Sequence, residues 1–387
     1  MIDSLNVIPL DSAYSEPKYL MSYQDRYFVI SESLAEFINT IKKARTFEEA
    51  ALEWSIFKGE SYTADDVRAI YETYIAAILN EPQKRRSFLW EKKLFSGEKL
   101  EFMQQKFKVL FRPVIIICIM VIAAISEIYF FTQDMIISIR DIDILTVLAI
   151  AALILFSSFF HEIGHASACS YFGEKTAGIG FGIYLNFPAF YTDVSGIWKL
   201  SRKKRMVVNF AGTYFQLIFL LPCFAVYFFT GSQVAKYLIY TINLNFIFTL
   251  NPFFKFDGYW IMSDLIGIPN LRDKSNWFFQ RLKNKILRKH DTDAFWSQIK
   301  IKERILMTAY TIGVNAFFFY YIIFVLPKFL KSCWVGLPGQ IKTLVTDIAV
   351  GNSISFSAVS SIAAQLIISL LIFFFCYKFI RRLIANA

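Results

Sequence analysis

The stretch "ILTVLAIAALILFSSFFHEIGHASACSYFG" (residues 144–173) decides the fold. From Ile144 to Phe160 it has almost no polarity, and with the motif that closes it the run is long enough to cross a bilayer as a helix. It then places His161, Glu162 and His165 at the edge of that helix. Ionisable groups at membrane depth are costly and seldom idle. Composition extends the membrane reading to the whole chain. Of 387 residues 56% are hydrophobic, 42 are Phe, and the mean hydropathy is +0.44. Soluble domains sit nearer about 45–50% apolar. The net charge of +10 comes from basic residues clustered beside apolar runs, which points to membrane flanks and lipid headgroups, not to nucleic acid.

Outward from this stretch, six apolar segments are expected near 113–132, 144–172, 206–229, 234–253, 305–327 and 359–379, most of them of spanning length. The fourth is interrupted by Asn243 and Asn245 and broken by Asn251-Pro252. Segments 81–112, 173–205 and 258–304 carry nine, six and ten Lys+Arg; 133–143, 230–233 and 328–358 carry one, none and three. Rich and poor loops alternate, so both termini, including the Arg381-Arg382 tail, are expected in the cytoplasm of a multi-pass membrane protein. The mixed, polar first hundred residues read as lacking a cleavable signal peptide. The five cysteines are scattered without CxxC spacing, which supports neither a disulfide framework nor a thiolate metal site. Glu127, towards the external end of the first segment, reads as a snorkelling or cavity-facing carboxylate.

Residues 1–80 read as a small α+β, winged-helix-like domain, against the alternative of a structureless cap. "KYLMSYQDRYFVIS" (18–31) is strand-like with a turn at Gln24-Asp25, and three helices follow. Ser33 with Glu36, Thr46 with Glu49, and Thr63 with Asp66 have capping-box spacing. Residues 81–112 interleave Trp90, Leu94, Leu100, Phe107 and Phe111 with lysines, as in an interfacial helix on an anionic leaflet or a solvated linker helix. Residues 113–387 form the membrane domain, with its core at 144–260.

His161 and His165 are four apart, so on a helix both imidazoles share one face and can bind one tetrahedral zinc. Glu162, beside the first, is placed to move a proton instead of binding metal. The chain has only three histidines, and two fall in this pattern. For a third ligand, His290 in "KILRKHDTD" lies in a charged loop and reads as a surface residue. Asp257 in "TLNPFFKFDGYW" is the better candidate, at the cytoplasmic end of its segment like the histidines, with Pro252 to break the helix and Gly258 to permit a turn. A helix-end Asp facing solvent is the alternative.

HEIGH on one membrane helix and an Asp-Gly after a later one resemble the site-2 protease family of intramembrane zinc metalloproteases, over roughly residues 145–280. "FPAFYTDVSGIWKLSRKKRMVVNFAG" (187–212) and "NPFFKFDGYWIMSDLIGIPNLRDKS" (251–275) look like its bacterial peptide zinc metalloprotease branch. The resemblance implies zinc bound by His161, His165 and Asp257, with Glu162 as general base and acid. The family commonly writes N-x-x-P-x-x-x-L-D-G; here Pro252 is in register, Thr249 stands at the Asn position and Phe256 at the Leu. Asn251, beside the proline, becomes the candidate polar contact to substrate. Within the mostly α architecture, the Gly-rich, alternating "TAGIGFGIYLNFPAFYTDVSG" (176–196) is expected as a membrane-associated β-like hairpin, with Tyr184 and Phe187 pairing an extended substrate. Asp193 reads as a turn residue, and Ala211-Gly212 as a close helix contact.

Residues 1–80 with "ARTFEEAALEW" resemble PqqD-like domains, implying recognition of the leader of a ribosomally made, modified peptide. The expected activity is therefore zinc-dependent hydrolysis of a peptide bond at the cytoplasmic side, maturing or releasing such a peptide or a bacteriocin, with a modifying enzyme or ABC transporter as partner. Cleavage of a signalling membrane protein, or a non-proteolytic role in peptide export or immunity, are the alternatives.

Overall fold

The computed structural model describes residues 4–24, 26–80, 88–133, 144–184, 187–275, 294–351 and 356–385. The chain divides into two compact units, 1–308 and 309–387. The first opens with an antiparallel sheet in the order β1-β2-β3 (Asn6–Leu10, Lys18–Tyr23, Arg26–Ser31). The sequence reading missed β1, whose Pro9 is tolerated because β1 is an edge strand. Helices α1 (Glu32–Lys43), α2 (Phe47–Lys58) and α3 (Ala64–Ile70) follow, the last running through a π turn into α4 (Ala77–Asn80). Phe37 and Trp54 meet edge to face at 5.1 Å in the core of this module. Thr46 and Thr63 cap as expected, the latter in a full capping box with Asp66. Helix α1 instead starts at Ser31, whose hydroxyl accepts from the Leu34 N–H, because the extended backbone of β3 ends there and not at Ser33.

Residues 88–112 correct the expectation of one interfacial helix. Phe88–Ser96 is a strand, β4, and only Gly97–Phe107 is helical (α5). Strand β4 pairs with β5 (Gly178–Tyr184), which pairs with β6 (Phe187–Asp193), so the expected hairpin is two strands of a three-stranded sheet. Gly178, Gly180 and Gly182 alternate along β5, which puts them on one face. A Cβ at Gly180 would fall on the Tyr191 ring, and one at Gly182 on the Trp90 carbonyl. The bare face of β5 is what admits its neighbours. Asp193 turns the chain, accepting from the N–H and hydroxyl of Ser195.

The helical part comprises α6 (Pro113–Thr132), α7 (Ile144–Tyr171), α8 (Arg202–Thr230), α9 (Gln233–Thr249) and α10 (Asp257–Ile266). Among the described residues four helices are long and apolar enough to cross a membrane: Pro113–Thr132, Leu145–Tyr171, Arg202–Thr230 and Ile301–Val350. The segment expected at 234–253 is a 17-residue helix ended by the Asn251-Pro252 turn, and the segment expected at 359–379 lies within the helix Phe356–Ala385. The fifth expected segment does not stop at 327; helix continues to Val350 across the stretch read as a loop. Pro327 follows directly on a π turn (Tyr321–Val325), within a helix that does not break there. Helix α6 exposes Ile117, Ile125 and Ile128 by more than 60% each, a face suited to lipid. Glu127 is paired across to α9, accepting from Asn243 Nδ2 at 3.1 Å.

Unit 309–387 contains the remaining helical run to Val350 and the helix Phe356–Ala385, joined by Gln365 Nε2 donating to Gln340 Oε1.

Candidate metal centre

Helices α7 and α8 pack so closely that a Cβ on Gly164 would fall on the Ala211 carbonyl. This brings Val208 and Gln216 of α8 against the two histidines of α7. His165 Nδ1 lies 2.7 Å from Val208 O, and His161 Nδ1 lies 3.1 Å from Gln216 Oε1. A carbonyl only accepts, so the Nδ1 of His165 carries the hydrogen and its Nε2 presents a lone pair. The same reasoning at the Gln216 oxygen leaves the Nε2 of His161 bare. Gln216 is oriented in turn, donating to Ser157 Oγ and accepting from Asn245 Nδ2.

The third atom comes from 92 residues downstream of His165. Pro252 and the turns after α9 reverse the chain, and α10 begins at Asp257. Gly258 is required for this reversal, because a Cβ there would fall on the Leu250 backbone. Asp257 Oδ2 lies 3.0 Å from His161 Nε2 and 3.3 Å from His165 Nε2, and the two Nε2 atoms are 3.1 Å apart. This oxygen is buried and receives no hydrogen bond. Three lone-pair atoms thus converge with no proton to share, an arrangement that repels itself unless a cation sits between them. Ligands about 2.0–2.2 Å from a tetrahedral zinc would form edges close to those observed. Gly212 of α8 completes the fit, since a Cβ there would fall on both imidazoles. The donor set, the orphaned oxygen and the bare glycine suit a divalent metal, and zinc in particular.

Glu162 is buried beside the ligands, and its backbone carbonyl accepts from Thr192 Oγ1 at 3.0 Å, which pins β6 to α7. Glu162 lines a cavity of about 590 Å³ together with His161, His165 and Asp257. Aromatic side chains contribute much of its other walls, among them Phe88, Phe181, Tyr184, Phe190, Phe256 and Trp260, beside polar groups. Tyr184 therefore reaches the cavity, edge-on to Phe256. Phe187 pairs with Tyr184 at the turn end of β6. Asn251 does not line the cavity; its side-chain oxygen accepts from the Phe253 N–H and makes the turn. His290 lies outside the described residues.

Reasoning from sequence missed Asn209, Gln216 and Asn245, the amides of the cavity wall. Thr249, at the position where the resemblance expects Asn, also lines the cavity, and Asn245 lies one helical turn before it on α9. Asn245 interrupting an apolar segment was the available signal.

No protein-family model matches the chain, and no solved structure matches it. A stretch of 110 residues, 28% of the chain, is 26% identical to the "Putative peptide zinc metalloprotease protein YydH" of Bacillus subtilis (strain 168). The match spans 44% of that protein's length.

Proposed function

We propose that this chain is a membrane-embedded zinc endopeptidase acting on a peptide substrate. The observation that carries the reading is the convergence of His161 Nε2, His165 Nε2 and Asp257 Oδ2, all lone pairs, beside a buried glutamate in a cavity of substrate size. Three protein ligands are the number a catalytic zinc keeps. Zinc, when bound, supplies Lewis acidity toward water and the scissile carbonyl. Glu162 accepts a proton from the attacking water and delivers it to the departing amine. The aromatic walls exclude bulk water and hold apolar side chains, while Asn245 and Thr249 offer neutral polar groups to the substrate backbone.

Strand β6 supports an extended substrate. It is an edge strand carrying Pro188, and Pro188 to Thr192 line the cavity up to Glu162. A helical substrate hides its peptide bonds; one added beside β6 exposes them. The name of the Bacillus subtilis relative favours a peptide over a signalling membrane protein, and the resemblance of residues 1–80 to PqqD-like domains favours one that is ribosomally made. The setting is a bacterial inner membrane, with the cavity opening to the cytoplasm.

Purified protein in detergent, incubated with a proteome-derived peptide library and read by mass spectrometry, tests this. New termini are expected with wild type and none with Glu162→Gln. Equal cleavage by both would discard the proposal.

A further inference from the structure

Helix α10 holds Asp257 at its first residue, yet the chain before it, from Leu250 to Phe256, is turns and not a continuation of α9. Beyond the contact of Gly258 with Leu250, its direction depends on what holds its other end. Asp264, near its other end, is buried and accepts from Arg205 Nε at 2.6 Å and from Asn209 Nδ2 at 2.9 Å. Both donors lie on α8, the helix that carries Val208, Gly212 and Gln216 against the histidines.

The N-terminal module completes this arrangement. Arg205 Nη2 donates to the backbone carbonyl of Asp11, just past the end of β1. The Asp11 carboxylate accepts from the N–H and Nε of Arg202 at 2.9 and 3.1 Å. Ala13 N–H donates to the carbonyl of Gly267, the C-cap of α10, at 2.8 Å. Gly267 has φ +79, and a Cβ there would meet Arg202 and the Ala13 nitrogen. On its far side, residues 13–15 bond to Gln298 and Lys300 of the same unit. The segment is wedged between the cytoplasmic end of α8 and the end of α10.

We infer that residues Asp11–Ser15 are part of the metal centre's support: with Arg205 and Asp264 they fix the far end of α10, and so the position of Asp257. Asp11, Arg205 and Asp264 are positioning residues, since none lines the cavity. Seven residues of helix separate Asp264 from Asp257, about 10 Å, so a tilt of about 6° displaces the ligand by about 1 Å. Displacement on that scale is enough to cost about 100-fold in rate. The N-terminal module is then a structural partner of the ligand helix and not a loosely tethered accessory. The inference rests on the zinc reading for its meaning, but its first test does not need metal.

Hydrogen exchange of the full-length, metal-free protein is measured for wild type, Ala13→Pro, which removes the donor to Gly267, and Asp264→Asn, which removes the charge Arg205 pairs with. Exchange across 257–266 should accelerate by about tenfold or more in both, reporting lowered local stability. Zinc dissociation constants, from competition with a chromophoric chelator, should rise by about 10- to 100-fold, the range for lost outer-shell support. Melting temperature identifies a variant that fails to fold; Asp11→Ala, at a half-exposed carboxylate, is then the milder substitute. Faster exchange at residues 11–15 of Ala13→Pro with 257–266 unchanged would overturn the inference. Loss of zinc binding by wild type itself would overturn the zinc reading and leave the exchange result standing.

Discussion

A methyl group at position 212 would fall on the imidazoles of both His161 and His165, so the smallest possible substitution reaches the metal ligands directly. Gly212→Ala should cost about 1–3 kcal/mol through overpacking, seen as a lower melting temperature, and should strip zinc because the rings are pushed off their common point. Gln216 acts one step further out, fixing the His161 tautomer through Nδ1. Gln216→Ala should leave the fold intact and weaken zinc binding about 10- to 100-fold, measured by chelator competition. Glu162→Gln should keep full zinc and lose about 10²–10⁴ in cleavage rate, the range for a general acid–base group. The histidines and Glu162 were legible in the sequence because a four-residue spacing survives any fold that keeps the helix. The geometry at Asp257 was not, because 92 residues and a broken helix intervene, and only chain reversal at Pro252 and Gly258 closes the gap.

At the scale of elements, the β4-β5-β6 sheet shows what local pattern conveys and what it conceals. The alternating glycines of 176–196 announced strands, since a period of two with no side chains suits neither a helix nor a solvated loop. Strand β4 stayed hidden. Its lysines and aromatics fit an amphipathic helix about as well, and pairing with β5, remote in sequence, is what settles the strand. Asn251 sits in the turn and not on the cavity wall, and its sequence context did not distinguish the two, since an Asn beside proline serves a turn as readily as a substrate. The sheet's place in function gives a prediction of its own. Gly180→Val should drive Tyr191 from its seat on β5 and so reshape the cavity wall. Zinc content should be unchanged while cleavage of the peptide library falls or shifts in residue preference. Full activity with an unchanged preference would mean the sheet does not shape the substrate site.

For the whole molecule, composition and hydropathy conveyed the membrane class, but not the extents of the helices. Four described helices have the length and apolarity to span, and the apolar run from 301 reaches Val350 because nothing in "PKFLKSCWVGLPGQIKTLVTDIAV" ends a helix decisively despite two prolines. The alternation of basic loops predicts orientation more directly than length does. Ser201→Cys and Ser232→Cys, at opposite ends of α8, should react with an impermeant thiol reagent from the cytoplasmic and external faces respectively, in inverted and right-side-out vesicles of a cysteine-depleted background. Reaction of both from one face would contradict the assigned topology.

The claim on which the rest depends is that His161, His165 and Asp257 together bind one metal ion. The measurement is zinc per chain in purified wild type, Glu162→Gln and Asp257→Ala, after equilibration with zinc and removal of the excess. Close to one zinc per chain in the first two and essentially none in the third is the predicted result. Zinc retained at full stoichiometry by Asp257→Ala would contradict it and place the third ligand elsewhere.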